Sequence, residues 1–185
     1  MVGKRLFIEG TTEDDNGDLS QGFRMLFEKK LKGKMPKIQM GDGKVSAIDM
    51  FKNTVYKAGE KDDRFLLVDL DANEDKRAKD IKDNDLAKYP DRCFYMIQEM
   101  EAWFISQATD VLDKHFKTSV SGKLAKKVAT DFAHPDEEID RCLRPSGREY
   151  HKVKDGVKML KMLDLDKLMN DFPDVKNLVE ELQKA

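Results

Sequence analysis

The chain has 185 residues, of which 39% are hydrophobic and 38% are charged, and its formal net charge is −2 at pH 7. This length suffices for one domain with a packed core, and the apolar content argues against global disorder. A net charge near zero excludes attraction of the whole molecule to nucleic acid, so such binding requires a local basic patch. The two cysteines lack zinc-site or disulfide-scaffold spacing, and no apolar run has the length of a signal-peptide core or a membrane span. These features predict a cytoplasmic protein with no membrane contact.

Four short apolar runs predict β-strands. In chain order they cover residues 5–10, 37–43, 64–73 and 91–98. Helix-like segments separate them at 19–33, 44–60 and 74–89. Because strands and helices alternate, we expect right-handed crossovers and a mostly parallel sheet of about four strands flanked by helices.

The chain after the fourth predicted strand is helical in pattern. Residues 99–116 fit an amphipathic helix, a loop is predicted around 144–152, and two short helices meet near Pro173. We therefore predict an α/β core over residues 1–116. A helical C-terminal extension over 117–185 should pack on this core within one structural domain.

Acidic residues follow three of the four predicted strands. Glu9 ends the first strand, Asp69 and Asp71 end the third, and Glu99 and Glu101 follow the fourth. Residues two apart share one face of a strand, so Asp69 and Asp71 should project together. In open parallel sheets ligands bind beyond the carboxyl ends of the strands, and carboxylate oxygens suit Mg²⁺ and Mn²⁺. The sequence therefore predicts a site for one or two of these ions.

Each acidic motif also has a purely structural interpretation. An aspartate after a strand often caps a helix, so the Asp-x-Asp pair taken alone is an even choice between cap and ligand. Glu99 and Glu101 suit the first turn of a helix, where the macrodipole favours negative charge. Glu9 is harder to explain, because burying an unpaired carboxylate is costly. The presence of all three motifs at one edge of the sheet favours a metal site over these structural interpretations.

A basic segment runs from Arg141 to Lys161 and supplies the local positive charge that nucleic-acid binding would need. The residues proposed to contact the phosphate backbone are Arg144, Arg148, Lys152 and Lys154. An ordinary solvated surface is the competing interpretation for any one of them.

Three motifs together, FIEGTTE, LLVDLDAN and MIQEMEAW, resemble the TOPRIM domain, in which a glutamate after the first strand and an Asp-x-Asp after the third form a Mg²⁺ site. The nearest resemblance is to the OLD-type (overcoming-lysogenization-defect) nucleases and to small TOPRIM-like proteins of unknown function in prokaryotic defence loci. The later YHK and FPDVKNLVEEL segments resemble the same group. The resemblance implies a TOPRIM-like Rossmannoid fold.

The resemblance also implies roles for individual residues. Glu9, Asp69 and Asp71 would bind metal and take part in catalysis, and Lys152 would be a further catalytic residue. The remaining metal ligands would be Glu13, Glu99 and Glu101. The segment DDNGDLSQG after Glu13 departs from the family pattern, in which an apolar helix follows directly.

The resemblance implies a Mg²⁺- or Mn²⁺-dependent nuclease, and DNA is the expected substrate. It also implies that the protein is an effector of anti-phage defence. A separately encoded ATPase partner and a homodimer stay open. The alternative is a non-catalytic TOPRIM-like module that uses metal for structure while binding nucleic acid or assembling a complex.

Overall fold

The structure is a computed structural model that describes residues 3–10, 19–55 and 63–184. Within these ranges four strands form one sheet in the order β2-β1-β3-β4, and every neighbouring pair is parallel. The strands are β1 (Arg5–Glu9), β2 (Lys37–Gly41), β3 (Arg64–Asp69) and β4 (Cys93–Met96). The predicted α/β class, with a four-stranded parallel sheet flanked by helices, is confirmed.

Helices connect the strands and make up the chain beyond β4. The connecting helices are α1 (Leu19–Glu28), α2 (Gly43–Asn53) and α3 (Arg77–Asp83). The later helices are α4 (Glu101–Ser106), α5 (Lys114–Phe116), α6 (Ser121–Leu124), α7 (Pro135–Leu143), α8 (Lys152–Met162), α9 (Leu165–Asp171) and α10 (Pro173–Gln183). A π-helical turn, Thr109–Asp113, precedes α5, and 3₁₀ turns lie at Glu74–Lys76, Ala129–Asp131 and Arg144–Ser146.

Four of the predicted helices differ from the observed ones. The helix predicted over 19–33 is observed as α1, which ends at Glu28, and the one predicted over 99–116 is divided into α4, the π-helical turn and α5. The helix predicted over 44–60 is observed as α2, and its last five residues lie outside the described ranges. The helix predicted over 74–89 begins as a 3₁₀ turn and ends at Asp83, because Asp85 adopts a left-handed backbone conformation with φ of 59°. No helix in the described part of the chain is both long enough and apolar enough to cross a membrane.

The sheet is covered on both faces because its strands carry large apolar residues on both sides. Leu66 and Val68 of β3 belong to the smaller core, with α2. Phe65 and Leu67 point into the larger core, which contains α1, α4 and α8. Gly22 allows α1 and α8 to approach closely, since a Cβ there would lie 3.1 Å from the Cα of Val157. This packing brings the start of α8 over the end of β3.

The C-terminal helix covers the edge of the sheet at β4. The buried carboxylate of Asp174, in the first turn of α10, accepts the Tyr95 backbone N–H at 3.1 Å. Arg77 donates to both oxygens of the same carboxylate, with its Nη1 atom 2.9 Å from Oδ1. An edge strand presents unpaired backbone groups, and this contact satisfies one of them.

We expect Asp174→Ala to lower the free energy of unfolding by about 2–3 kcal/mol, because it leaves the Tyr95 N–H without its acceptor and removes one of the two carboxylates that pair with Arg77, the other being Glu74. Urea denaturation of the purified chain measures this change. Asp171→Ala, at an exposed position before α10, is the matched control and should change stability by less than about 0.5 kcal/mol. Equal effects of the two substitutions would contradict the role assigned to Asp174.

Candidate functional site

The candidate site lies where the direction of strand order changes in the sheet. From β1 the chain crosses one face through α1 to reach β2, and then crosses the other face through α2 to reach β3. The carboxyl ends of β1 and β3 therefore flank a crevice, the usual ligand position in open parallel sheets. A pocket of about 200 Å³ opens there. It is lined by Glu9, Gly10, Leu19, Gly43, Asp69, Met96, Met100, Lys152 and Val153.

Glu9 and Asp69 lie side by side at this edge, as predicted. The backbone N–H of Asp69 donates to Glu9 Oε2 at 2.9 Å. Asp69 itself is 4% exposed, and its Oδ1 accepts the backbone N–H of Met100 at 2.9 Å. The second oxygen, Oδ2, lies near Lys152. The end of β3 thus carries a buried carboxylate in a fixed orientation.

Glu101 joins this group from the start of α4 and is fully buried. The Tyr150 hydroxyl donates to Glu101 Oε1 at 2.6 Å, while Oε2 accepts no hydrogen bond from any residue that the structure describes. Buried carboxylate oxygens are normally satisfied, and the cation facing this one is the Lys152 ammonium group. Tyr150 was not among the predicted site residues, although the YHK segment containing it was part of the TOPRIM resemblance.

Lys152 lies between the two buried carboxylates. Its Nζ atom is 3.7 Å from Asp69 Oδ2 and 3.7 Å from Glu101 Oε2. Burial alone would lower the pKa of Lys152, but the negative charges of Glu101 and Asp69 raise it above its ordinary value. The lysine is therefore a permanent cation within the acidic group.

Hydrogen bonds to Asp155 fix the first turn of α8, from which Lys152 projects. Asp155 accepts the His151 backbone N–H at 2.8 Å, and its other oxygen lies 2.8 Å from His115 Nε2. Burial by itself would raise the pKa of Asp155, but the His115 and His151 contacts lower it. His115 thus has a structural contact beside the site.

Burial and mutual repulsion disfavour the charged forms of these acids. Burial is the largest cause raising the pKa of Asp69 well above its ordinary value, and Glu101 and Glu9 add repulsion. Burial also raises the pKa of Glu9, with a further contribution from Asp71. Such shifts are typical of sites that bind cations or move protons.

The metal-free protein should become less stable as the pH rises. Burial first, and then the charges of Glu101 and Asp136, raise the pKa of Glu99 from 4.5 to about 7. The folded chain keeps a proton that the unfolded chain loses, so this stabilisation is complete below pH 4.5 and is lost as the pH rises through 7. Urea denaturation from about pH 5 to about pH 8 should show this fall, and Glu99→Gln should reduce it. Glu180→Gln, at an exposed position on α10, should keep the wild-type pH dependence; the same profile in both variants would contradict the assignment.

Asp71 does not project alongside Asp69, contrary to the expectation from strand periodicity. The strand β3 ends at Asp69, and Asp71 has a left-handed backbone with φ of 56°. Its side chain is 58% exposed and lies 3.3 Å from Lys44 Nζ, on the side of the sheet that α2 covers. Asp71 is not a helix cap either, because Asn73 occupies the N-cap position of the following 3₁₀ turn.

Lys44 is a second lysine beside the acidic edge that the sequence interpretation did not assign to the site. Its Nζ atom lies 2.8 Å from Asp80 Oδ1 and 3.3 Å from the Leu70 carbonyl oxygen. The signal in the sequence was GDGK between a strand and a helix, which lacks the spacing of a phosphate-binding loop.

The other predicted residues have different positions. Glu99 is partly buried at the edge of the group and accepts the Asp136 backbone N–H at 3.4 Å. Glu13 lies outside the described residues. Arg144 pairs with Asp140 one helical turn earlier, at 2.9 Å, so its charge is offset locally. Arg148 and Lys154 are exposed, whereas Lys152 is directed toward the acids.

The carboxylates are not arranged around a common metal position. Among the residues that the structure describes, no group of three or more His, Cys, Asp or Glu side chains is placed to hold a metal ion. The donor chemistry nevertheless suits a hard cation, since Glu9, Asp69 and Glu101 present oxygens, and within the described ranges Glu101 Oε2 accepts no hydrogen bond. An inward adjustment of these side chains would be required.

The fold and site define an α/β protein with a buried acidic group and a lysine at the switch point of a parallel sheet. A family model described as "Domain of unknown function (DUF4276)" matches residues 9–183. The chain belongs to the DUF4276 family. No curated protein and no solved structure matches it. The functional argument therefore depends on the geometry of the site.

Proposed function

We propose that this chain is a Mg²⁺- or Mn²⁺-dependent nuclease that hydrolyses phosphodiester bonds at the acidic edge of the sheet. The observation that carries the proposal is the placing of Glu9, Asp69 and Lys152 in one pocket, with the buried Glu101 on the other side of Lys152 and its Oε2 atom without a hydrogen bond from the described residues. Glu9, Asp69, Asp71 and Glu101 outnumber the two lysines beside them, Lys44 and Lys152, and a divalent cation would offset this excess of negative charge. The TOPRIM and OLD resemblance of the motifs supports the same activity.

Glu9, Asp69 and Glu101 would hold the first ion, and the resemblance adds Asp71, Glu13 and Glu99 as further ligands. A bound ion would polarise a phosphoryl oxygen and lower the pKa of a water molecule. Glu9 is half-buried with a raised pKa, which suits it to accept a proton from an attacking water. The Met100 N–H and the Tyr150 hydroxyl orient the Asp69 and Glu101 carboxylates.

The expected substrate is nucleic acid, and DNA is expected in preference to RNA. The pocket, at about 200 Å³, has room for a phosphate group but not for a polymer, so the rest of the substrate would lie across its rim. Arg148 and Lys154 are exposed in the segment that leads into and through the start of α8, where they would contact the backbone phosphates. Action as a defence effector with a separate ATPase partner is proposed from the resemblance alone.

A second candidate is a non-catalytic module that binds nucleic acid or assembles a complex. The position of Lys152 favours it, because an ammonium group between Asp69 and Glu101 already supplies a cation without any metal. In such a non-catalytic module, a metal ion would stabilise the structure or would not be required.

Incubating the purified chain with plasmid DNA, linear DNA and RNA, each with Mg²⁺, Mn²⁺ or a chelator, tests the proposal. The nuclease should cleave at least one polymer only when the metal is present. Binding of Mn²⁺ and nucleic acid without cleavage under any condition would favour the non-catalytic module. Absence of Mn²⁺ binding in calorimetry would overturn the proposed metal site.

A further inference from the structure

The side chain of Lys152 occupies the space that a cation would need in the acidic group. Its Nζ atom is equidistant, at 3.7 Å, from Asp69 Oδ2 and Glu101 Oε2. Both distances exceed the range of a hydrogen bond, so the lysine neutralises the two carboxylates without being bonded to either one. Glu9 and Glu99 also lie within its electrostatic reach.

The backbone of Lys152 is held in place, whereas its side chain is partly exposed to solvent. The backbone is held firmly, because α8 packs against α1 and the Asp155 carboxylate secures the first turn. The side chain, in contrast, is 47% exposed, whereas the Asp69 and Glu101 side chains are 6% and 0% exposed. A lysine has a flexible four-carbon stem and a strongly hydrated head, so its amine can move to solvent while the acids cannot.

We propose that Lys152 is an internal counter-ion that excludes a divalent cation from the Asp69–Glu101 position and must swing outward when one binds. This inference rests on the proposed function and adds a form of regulation to that site. The two cations cannot share the position, because like charges at such separations in a buried site repel strongly. The orientation of Glu101 by Tyr150 leaves Oε2 directed toward the lysine, where it would become available to the incoming ion.

The outward movement would also place the Lys152 amine where it could attract a substrate phosphate group. Once it leaves the acids, its amine lies at the pocket rim on the first turn of α8, in the same segment as Arg148 and Lys154. A positive charge there would attract the phosphate group of a substrate. Occupation of the carboxylates and attraction of an anion would thus be coupled through one side chain.

Calorimetric titration of the full chain with Mn²⁺ alone tests the competition. Lys152→Met should bind Mn²⁺ about tenfold or more tightly than the wild type, since the competing charge is gone. Lys152→Arg keeps the charge and should bind no more tightly than the wild type. Lys158→Met, an exposed position on the same helix, is the matched control and should leave the affinity unchanged.

Acylation of lysine amines in the wild-type chain, read by mass spectrometry, tests the movement without any substitution. Added Mn²⁺ should increase modification of Lys152 relative to Lys158. Equal Mn²⁺ affinity of Lys152→Met and wild type, or unchanged labelling of Lys152 in a chain that binds Mn²⁺, would overturn the counter-ion role while leaving the metal site intact. Failure of both the wild type and Lys152→Met to bind Mn²⁺ would overturn the metal site and the counter-ion role together.

Discussion

Asp69→Asn should reduce metal-dependent cleavage by about a hundredfold or more while leaving the chain folded. The amide is the same size as the carboxylate and keeps an oxygen that can accept the Met100 N–H, so the end of β3 should retain its geometry. The substitution removes the charge that a cation would bind. Gel assays of cleavage and calorimetric titration with Mn²⁺ measure the two consequences.

The same substitution should not destabilise the metal-free protein. Burial holds the pKa of Asp69 well above its ordinary value, which means that its charge opposes folding at neutral pH. A neutral amide removes that cost, so we expect the free energy of unfolding to stay equal or to rise by about 1 kcal/mol. Loss of activity without loss of stability is the result expected when a functional residue destabilises the folded protein.

Asp75→Asn is the matched control for Asp69→Asn. Asp75 lies in the exposed 3₁₀ turn soon after β3, where its carboxylate pairs with Lys76 at 2.9 Å. This variant should keep both Mn²⁺ binding and any cleavage. Full activity of Asp69→Asn would disprove the proposed site, because no other described carboxylate is held at the same place between β1 and α4.

Tyr150→Phe should weaken Mn²⁺ binding by about tenfold and lower the free energy of unfolding by about 1–3 kcal/mol. The phenol is the hydrogen-bond donor to Glu101 Oε1, and the other oxygen already lacks one. Without the hydroxyl, a fully buried carboxylate would have no hydrogen bond among the described residues and would lose its fixed orientation. Calorimetry and urea denaturation measure the two effects.

Tyr89→Phe is the matched control, because it removes a tyrosine hydroxyl that does not contact Glu101. Tyr89 packs on Phe51 in the smaller core, on the opposite face of the sheet, with ring centroids 4.8 Å apart. Its substitution should leave Mn²⁺ affinity unchanged. If Tyr150→Phe lowered stability but not affinity, Tyr150 would be a structural residue and not one that positions a metal ligand.

The strands and the sheet could be predicted because their signals are local. Phe65 to Val68 form a continuous apolar run, as expected for a strand buried on both faces, and acidic residues stop that run. Glu9 and Asp69 could be placed together for the same reason, since parallel strands bring their carboxyl ends to one edge. The α/β alternation then required helices on both faces.

The error at Asp71 has an equally local cause. Strand periodicity applies only while the backbone stays extended, and the backbone turns to a left-handed conformation two residues after Asp69. The Asp-x-Asp pattern does not reveal that turn, because aspartate tolerates both conformations. The two side chains accordingly face different cations, Asp69 facing Lys152 and Asp71 facing Lys44, while Asp71 still adds repulsion that raises the pKa of Asp69.

The basic segment illustrates a different limit. Arg144 and Lys152 have the same charge in the sequence, yet Arg144 pairs with Asp140 on the surface and Lys152 enters the acidic group. Which cation meets which anion depends on the packing of α8 against α1, a contact between residues far apart in the chain. Charge counting along the sequence could not distinguish them.

The sequence by itself determined the α/β class, the four strands and the gathering of Glu9 and Asp69 at one edge, because alternation and strand polarity are encoded in neighbouring residues. Only the tertiary structure decided that Tyr150 orients Glu101, that Lys152 lies between two buried carboxylates, and that Asp71 pairs with Lys44. Those relations arise when the C-terminal helices pack on the sheet. Burial then sets the electrostatics of the site, since a charge removed from water depends on the few groups that remain beside it.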